Sequence, residues 1–324
     1  MLNKKTIKTF LQILGPLIFI YILFQIDYSV LSGELRNINL SLLFFAFGLM
    51  ILETIIRSFR WRIILSSLKL QVSIADSISL CWLGSFVGII TPGRLGEVIK
   101  VYFLKDKGCD SFRSLFSIII DRAVDVMVLL FLSAMIALFF LKSIGVYVVI
   151  TGVMLLTGII FIFLLIDERS WVNKIFSKII QKVVPIDLNN YSRFTFGKLW
   201  QGIKGTDKKD IIYFIFYLIL SWLLYFYSRY VIALSLGLKL SFMDIVIVSV
   251  SIAIVSILPI SVAGLGTREA AVIYIFVLFG LNKEIALLFS LLIFTINIIS
   301  VSFGLIPYVK EMALINKAKK YESK

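Results

Sequence analysis

Histidine is absent from the sequence, and other residue types that build soluble active sites are scarce. Its absence removes the commonest general base and the commonest metal ligand. The two cysteines, Cys81 in an apolar run and Cys109 in a basic loop, form neither a disulfide framework nor a zinc pattern. No Gly-x-Ser-x-Gly, P-loop or dinucleotide-binding fingerprint occurs. We therefore predict no catalytic residue, no metal and no cofactor, and a protein that is not an enzyme.

Acidic residues are also scarce, and the charge balance is strongly basic. The 324 residues include 33 Lys and Arg against 19 Asp and Glu, a net charge of +14, while 60% of the residues are hydrophobic. A soluble domain of this length is about 45–50% apolar, so the predicted solvent for the remaining apolar surface is the bilayer. No basic soluble segment is long enough to bind nucleic acid, and the excess of Lys and Arg indicates cytoplasmic loops.

Small residues are missing where a signal peptide would be cleaved. Lys4, Lys5 and Lys8 precede an apolar stretch, Phe10 to Ile26, that resembles such a peptide. Cleavage requires small residues after the stretch, and the first alanine of the chain is Ala46. We expect an uncleaved first membrane span.

Long apolar runs make up most of the chain, and a membrane-spanning helix needs about 20 such residues. Six segments meet this requirement: 9–26, 38–56, 114–141, 144–166, 211–236 and 285–309. Two further apolar segments, 77–104 and 245–280, are interrupted in the middle by glycine, proline and charged residues. The predicted fold class is an all-α polytopic membrane protein with eight hydrophobic segments.

The positions of Lys and Arg predict how these segments are oriented. Basic residues cluster before the first span, in the connections around 57–69 and 100–113, across 167–210, and after the last span, whereas the other connections contain few. If every cluster is cytoplasmic, segment 77–104 enters and leaves the membrane on the inner side, and 245–280 does so on the outer side. Both are then re-entrant helical hairpins. The alternative is two full spans, kinked by glycine and proline, in each interrupted region.

Re-entrant hairpins at matching positions give an inverted-topology repeat. The single transmembrane domain, 1–324, then has inverted halves at about 9–141 and 144–309. Both termini lie on the cytoplasmic side of the inner membrane. Broken helices at matching positions of such halves are typical of a transport site.

The segment 167–210 is the only long polar region, with nine Lys and Arg and five Asp and Glu. Within 171–184, apolar residues share one helical face beside a row formed by Lys174, Lys178 and Lys182. This pattern is typical of a basic amphipathic helix on anionic lipid at the cytoplasmic surface. A solvated loop helix packed on its own protein fits the pattern equally well.

The two breaks have the composition of an anion site. After each break a half-helix restarts, near Leu95 and near Thr267, and its first N–H groups carry the positive end of the helix dipole. Such ends bind phosphate or carboxylate, and glycine lets a ligand approach the backbone. The alternative is that the glycines only permit close helix packing. The candidate substrate-binding residues at the breaks are Gly93, Arg94, Gly96 and Glu97 in the first, and Gly264, Gly266, Arg268 and Glu269 in the second.

Other ionisable residues lie inside apolar segments, where charge is costly and often functional. Asp121, Arg122 and Asp125 share a face of 114–141, so that Arg122 can pair with Asp125. Arg229 lies deep in 211–236 without a local acidic partner and must find one elsewhere in the bundle. For these residues the sequence leaves structural pairing and substrate contact equally open.

Charged residues at the end of the second span have a simpler interpretation. Glu53 can pair with Arg57 four residues later. Interfacial anchoring is the expected role of this pair and of the neighbouring Arg60, Trp61 and Arg62.

Four motifs in order resemble the lysylphosphatidylglycerol synthase transmembrane-region family, also described as flippase-like domains. They are Arg57-Ser58-Phe59-Arg60-Trp61-Arg62, Thr91-Pro92-Gly93-Arg94-Leu95-Gly96-Glu97 running on to Lys100, Asp121-Arg122-Ala123-Val124-Asp125, and Pro259 through Gly264-Leu265-Gly266-Thr267-Arg268-Glu269. The resemblance covers about 9–309 and adds Lys100 to the candidate substrate-binding residues.

The resemblance implies lipid translocation. In that family the domain occurs alone or fused to a soluble aminoacyl-transferase domain, and about 15 residues follow the last predicted span here, so lysyl transfer is not expected. The implied substrate is a membrane phospholipid such as phosphatidylglycerol or its aminoacylated form, and a separate lipid synthase is a candidate partner. A secondary transporter of a small anion, or an accessory protein or enzyme of lipid-linked isoprenoid glycan synthesis, remains the alternative.

Overall fold

The computed structural model describes residues 15–91, 96–140, 205–257 and 264–307 together with residue 309. Within these ranges the regular structure is helical, which confirms the all-α class. The α-helices follow in this order: α1 Gly15–Phe24, α2 Tyr28–Arg36, α3 Leu40–Ser67, α4 Ile74–Ile90, α5 Ile99–Asp106, α6 Ser111–Phe140, α7 Lys208–Ser235, α8 Phe242–Ile257, α9 Thr267–Leu278 and α10 Lys283–Ser302. The predicted span 144–166 and nearly all of the polar segment 167–210 lie outside the described residues.

Three of these helices are long and apolar enough to cross a membrane. They are Leu40–Ser67, Lys208–Ser235 and the continuation of α10, Lys283–Pro307, and a fourth span results if the bent pair of α1 and α2 counts as one. Helix α6 is 30 residues long and has three charged residues, Asp121, Arg122 and Asp125, near its middle. The chain is therefore a multi-pass membrane protein, while the predicted six full spans and the inverted repeat stay predictions.

A bend of 91° separates α1 from α2. Asp27 lies in the bend and caps α2, because its carboxylate accepts hydrogen bonds from the N–H groups of Ser29 and Val30 at 2.9 and 3.4 Å. The hydrogen bond from the Ser29 hydroxyl, followed by these two N–H bonds, lowers the pKa of Asp27 below its ordinary value. The N–H of Asp27 donates to Glu284 at 3.3 Å, so the bend is held against the start of α10.

The chain divides into two compact units, and neither unit coincides with a predicted half. The first unit comprises Met1–Ser58, Ile78–Ile99 and Tyr217–Lys324, and the second comprises Phe59–Ser77 and Lys100–Phe216.

The core of the first unit is formed by one face each of α3, α7, α8, α9 and α10. Its most completely buried side chains include Ala46, Ile232, Ile245, Phe276 and Phe289. The rings of Phe276 and Phe289 lie 5.2 Å apart and join α9 to α10. In a bilayer this packing stabilises the helices through van der Waals contact rather than through removal from water, and it holds α9, whose first turn carries the site residues, against α10.

The second unit packs the end of α3 against α5 and α6. Its fully buried large apolar side chains include Trp61, Leu65, Phe103 and Phe116. Large apolar side chains remain exposed elsewhere on the described helices, as on α7, where Ile212, Phe216, Ile219 and Leu223 are all more than half exposed. In a membrane protein such a face contacts lipid rather than water.

Candidate functional site

The second break lies between α8, which ends at Ile257, and α9, which begins at Thr267. Residues 258–263 lie outside the described part of the chain. The chain re-enters the helix through Gly264 and Gly266, whose φ angles of 75° and 83° are in the region that favours glycine. The predicted restart near Thr267 is therefore confirmed, and the two positive φ values are its local cause.

Arg268 and Glu269 form a buried ion pair at the restart. The guanidinium donates from Nε to Glu269 Oε1 at 3.0 Å and from Nη2 to the same oxygen. Ser290 of α10 lies beside the pair: its hydroxyl accepts from Arg268 Nε at 3.0 Å and donates to Glu269 Oε1 at 3.2 Å. The other carboxylate oxygen, Oε2, accepts the N–H of Gly266 at 2.6 Å and so caps α9. Both oxygens of Glu269 are engaged with the protein.

Arg268 still has a donor group that makes no hydrogen bond to a described residue, whereas both oxygens of Glu269 accept hydrogen bonds. Its guanidinium carbon lies 4.4 Å from the centroid of the Phe294 ring, a cation–π contact. Among the described residues, Nη1 makes no hydrogen bond. An oxyanion could therefore bind Nη1 without displacing the existing ion pair.

The first break lies between α4, ending at Ile90, and α5, beginning at Ile99. Gly93 and Arg94 lie outside the described residues. The N–H of Gly96 donates to the Thr91 hydroxyl oxygen at 2.7 Å, and that hydroxyl donates back to the end of α4, to Val87 O at 3.1 Å. Thr91 thus ties the end of one half-helix to the approach of the next.

Buried charge follows the first break as it follows the second. Glu97 belongs to the first unit and Lys100 to the second, and the two side chains are 2% and 1% exposed. Within the second unit, Lys100 Nζ lies 4.8 Å from the centroid of the Trp61 ring. Both breaks are thus followed by charged residues that the protein itself shields.

Two of the glycines pack against main chain. A Cβ at Gly266 would lie 1.9 Å from the carbonyl oxygen of Gly15, because α1 crosses the break at this point. A Cβ at Gly96 would lie 2.4 Å from the carbonyl oxygen of Val87. Close packing, the alternative reading of these glycines, explains Gly96 and Gly266, while the conformation of the turn explains Gly264.

A four-membered ion cluster lies in the second unit. Arg60 donates to Oδ1 of Asp121 from Nη2 at 2.6 Å and to Oδ1 of Asp125 from Nη1 at 2.7 Å. Arg122 Nη2 lies 2.7 Å from Oδ2 of Asp121 and 3.0 Å from Oδ2 of Asp125. Every carboxylate oxygen faces a guanidinium, and the cluster has no net charge. The predicted pairing of Arg122 with Asp125 is confirmed.

The part of Arg60 was missed by sequence reasoning. Interfacial anchoring is wrong for Arg60 and Trp61, because both side chains are fully buried. Trp61 Nε1 donates to the Ser117 hydroxyl at 3.2 Å, one helical turn before Asp121. Arg60 and Asp121 are 61 residues apart, so no local spacing could indicate the pair. The predicted Glu53–Arg57 pair is also absent from the described residues, where Arg57 instead donates to Ser85 at 3.0 Å.

Arg229 is buried in α7, and its expected carboxylate partner is not found among the described residues. Its Nη1 donates instead to the carbonyl oxygen of Tyr225 at 2.6 Å and to Ser228 at 3.2 Å. Candidate residues therefore occur in both units: Gly96, Glu97, Arg229, Gly264, Gly266, Arg268 and Glu269 in the first, and Lys100, Asp121, Arg122 and Asp125 in the second.

Known proteins with similar sequences are membrane proteins. The family described as lysylphosphatidylglycerol synthase TM region matches residues 12–303. UPF0104 membrane protein PH1989 of Pyrococcus horikoshii is 25% identical over 287 residues, which cover 81% of this chain and 83% of that protein. UPF0104 membrane protein MJ1595 of Methanocaldococcus jannaschii is 23% identical over 303 residues, covering 89% of this chain and 90% of that protein. No solved structure matches this chain.

Proposed function

The chain belongs to the lysylphosphatidylglycerol synthase transmembrane-region family, and on that premise we propose that it moves a phospholipid between the leaflets of its membrane. The proposed substrate is phosphatidylglycerol or its aminoacylated form. A lipid must carry its charged headgroup through the hydrocarbon core, where an uncompensated charge is costly. The protein therefore has to supply compensating charge inside the bundle.

The observation that carries this proposal is the state of Arg268 at the restart of α9. Its charge is held inside the protein by Glu269, and Nη1 remains without a hydrogen bond among the described residues. A lipid phosphate can accept from this group, and arginine binds phosphate strongly because its N–H groups are charged and fixed in a plane. The N-terminal end of α9 adds about half a unit of positive charge.

Glu269 has a positioning role in this proposal. Its two oxygens already accept from Arg268, Ser290 and Gly266, so an ammonium headgroup would have to displace one of them. Substitution of Glu269 should therefore reduce transport equally for lipids with and without an amino group.

The ion cluster of the second unit bears on the enzyme alternative. All four oxygens of Asp121 and Asp125 face Arg60 or Arg122, so neither carboxylate is available as a general base or ligand while the cluster is intact.

Arg268 fits a small inorganic anion as well as a lipid phosphate, and transport measurements have to separate these two substrates.

The test is leaflet-resolved transport in liposomes of labelled phosphatidylglycerol, aminoacylated phosphatidylglycerol and a neutral lipid. Arg268→Gln alone would leave Glu269 buried without its partner, so the test variant is Arg268→Gln with Glu269→Gln, which removes both charges and is compared with Glu269→Gln alone. We expect this variant to lose transport of the anionic lipid, and Arg268→Lys to retain part of it because lysine lacks the planar fork.

The matched control is Arg36→Gln, which removes an exposed arginine from the end of α2. Wild-type transport of phosphatidylglycerol by the double variant, at equal protein levels, would refute the role of Arg268. Movement of inorganic phosphate without movement of any lipid would instead favour the small-anion transporter.

A further inference from the structure

Arg229 is a buried cation whose charge no described residue balances. It lies in α7, about 9 Å before the helix ends at Ser235. The side chain is nine-tenths or more buried, with a relative exposure of 4%. Among the described residues no carboxylate forms an ion pair with it, in contrast to Arg60 and Arg268. Since burying a charge is costly unless a counter-charge is present, this position calls for an anion.

The protein contacts of Arg229 orient the guanidinium without neutralising it. Nη1 donates to the Tyr225 carbonyl oxygen and to the Ser228 hydroxyl. The guanidinium carbon lies 3.3 Å from the centroid of the Tyr225 ring, a cation–π contact. All three partners are neutral. They contact the guanidinium at Nη1 and on one face, which orients the side chain.

The opposite edge of the guanidinium is unused. Nε is buried and has no hydrogen-bond partner, and Nη2 makes no hydrogen bond with a described residue. Nε and Nη2 are the edge through which arginine binds two oxygens of one phosphate or carboxylate at once. A buried donor without a partner costs about 1–3 kcal/mol, so an acceptor at this edge would stabilise the folded protein.

A second unpartnered polar atom lies on the neighbouring helix. The hydroxyl of Ser249 in α8 is buried and has no hydrogen-bond partner among the described residues. Tyr225 connects it to Arg229: its ring contacts the guanidinium, and its hydroxyl lies 3.5 Å from the Ser249 carbonyl oxygen. Guanidinium and hydroxyl groups both donate to a tetrahedral oxyanion, and Tyr225 contacts the two residues that carry them.

We propose that Arg229 and Ser249, both in contact with Tyr225, form a binding site for a phosphate group. The phosphate can belong to a lipid headgroup or to free inorganic phosphate, since both present the same oxygens. The site is in the first unit and does not depend on lipid transport, because a phosphate bound at Arg229 would balance its charge whether or not a lipid crosses the membrane.

The test is calorimetric titration of the purified full chain in a neutral glycoside detergent. One arm uses inorganic phosphate and the other a short-chain phosphatidylglycerol. We expect saturable binding in at least one arm, weakened about 10- to 100-fold by Arg229→Gln, as for the loss of charge-assisted hydrogen bonds. Ser249→Ala should weaken binding several-fold. The matched control is Lys239→Gln, which removes an exposed cation just beyond α7 and should change nothing.

The two arms identify the source of the phosphate. Binding of the lipid alone assigns the site to a headgroup, and binding of inorganic phosphate alone assigns it to a free anion. Ser249→Ala loses no existing hydrogen bond and should fold normally. If Arg229→Gln does not fold, the phosphate affinities of Ser249→Ala and Arg229→Lys test the site instead. Wild-type affinity in both of these variants, or no binding by the wild-type protein in either arm, would overturn the site. Neither result would bear on transport through Arg268, which the liposome measurements test separately.

Discussion

Arg60 is the residue that most clearly links packing to charge in this protein. It is completely buried, yet three of its N–H groups reach carboxylate oxygens of Asp121 and Asp125. Arg122, whose side chain is 26% exposed, completes the cluster from the more open side. Loss of Arg60 would therefore leave the buried side of the two carboxylates without a counter-charge, whereas loss of Arg122 would leave a position that water can reach.

Arg60→Gln should lower the free energy of unfolding by about 3–5 kcal/mol, the usual cost of breaking a buried ion pair from one side. Arg122→Gln should cost clearly less, because Arg60 still holds both carboxylates and water reaches the vacated position. The measurement is the thermal unfolding midpoint of each variant in one detergent. Arg62→Gln is the matched control, since Arg62 is exposed and its one hydrogen bond to a described residue goes to the Val72 carbonyl oxygen. Equal losses for Arg60 and Arg122 would contradict the asymmetry.

Cys109 gives a pH-dependent prediction. Burial raises the pKa of its thiol above the ordinary value, an effect that nearby Lys107 opposes. Because the thiolate is the reactive form, reaction with a thiol reagent should be slower than for a free cysteine at about pH 7 and should keep rising to beyond about pH 9. Rates measured in a Cys81→Ser background test this. A plateau already reached near neutral pH would show that the thiol is not shielded.

At the level of the helices, the breaks were easier to predict than the ends of the spans. Gly264 and Gly266 placed the restart of α9 at Thr267, because glycine at positive φ is a local property. Helix α3, by contrast, continues to Ser67, well beyond the predicted end at 56. The arginines that suggested a membrane boundary are accommodated by α4 and α6: Arg57 reaches Ser85, and Arg60 reaches Asp121. Such distant partners leave no trace in local sequence spacing.

Gly266 should be intolerant of any side chain for two separable reasons. Its φ of 83° strains an L-residue, and a Cβ would lie 1.9 Å from Gly15 O. Gly280 has a φ of 75° and nothing within 4 Å, so Gly280→Ala measures the cost of a positive φ without overpacking, about 1 kcal/mol. Gly266→Ala should cost about 1–3 kcal/mol more, as overpacking does. Thermal unfolding of both variants provides the comparison, and equal midpoints would mean that α1 yields at the crossing.

The half-helices also bear on re-entrance. Helices α5 and α9 have 8 and 12 residues, about 12 and 18 Å, too short to cross a hydrocarbon core of about 30 Å. We expect single cysteines at Gly93 and Leu265 to react with small water-soluble reagents, mainly from the inner and outer sides respectively. Leu265 is chosen rather than its neighbour Gly264 because a cysteine at the positive φ of Gly264 would be strained. The background is Cys81→Ser with Cys109→Ser, and complete protection of both positions would favour kinked full spans.

On the scale of the whole molecule, the sequence predicted a helical multi-pass membrane protein correctly, because composition and apolar run length determine that class. It did not predict the two units, since their cores join segments far apart in the chain, such as Ala46 with Phe289. The inverted halves 9–141 and 144–309 remain a prediction that rests on charge alone.

Topology tests that prediction directly. Reporter tags at Met1, within 185–205 and at Lys324 should report the cytoplasm, and tags near Ser32 and Lys239 the opposite side, because Lys and Arg concentrate in cytoplasmic connections. Fusions with a periplasmic and a cytoplasmic reporter enzyme at each position provide the readout. Access to 185–205 from outside would be incompatible with an inverted repeat.

The crossing of α1 over Gly266 also has a consequence for biosynthesis. Helix α1 is made before the other described helices, but its partners are made much later. These are Gly266, against which it packs, and Glu284, which holds its bend and follows Asp27 by 257 residues. At about 5–20 residues per second the first helix waits about 10–50 s for these partners. During that interval the face of α1 that packs against Gly266 is open to lipid or to a chaperone. Slowed translation should therefore expose nascent chains to degradation at α1 before any other helix.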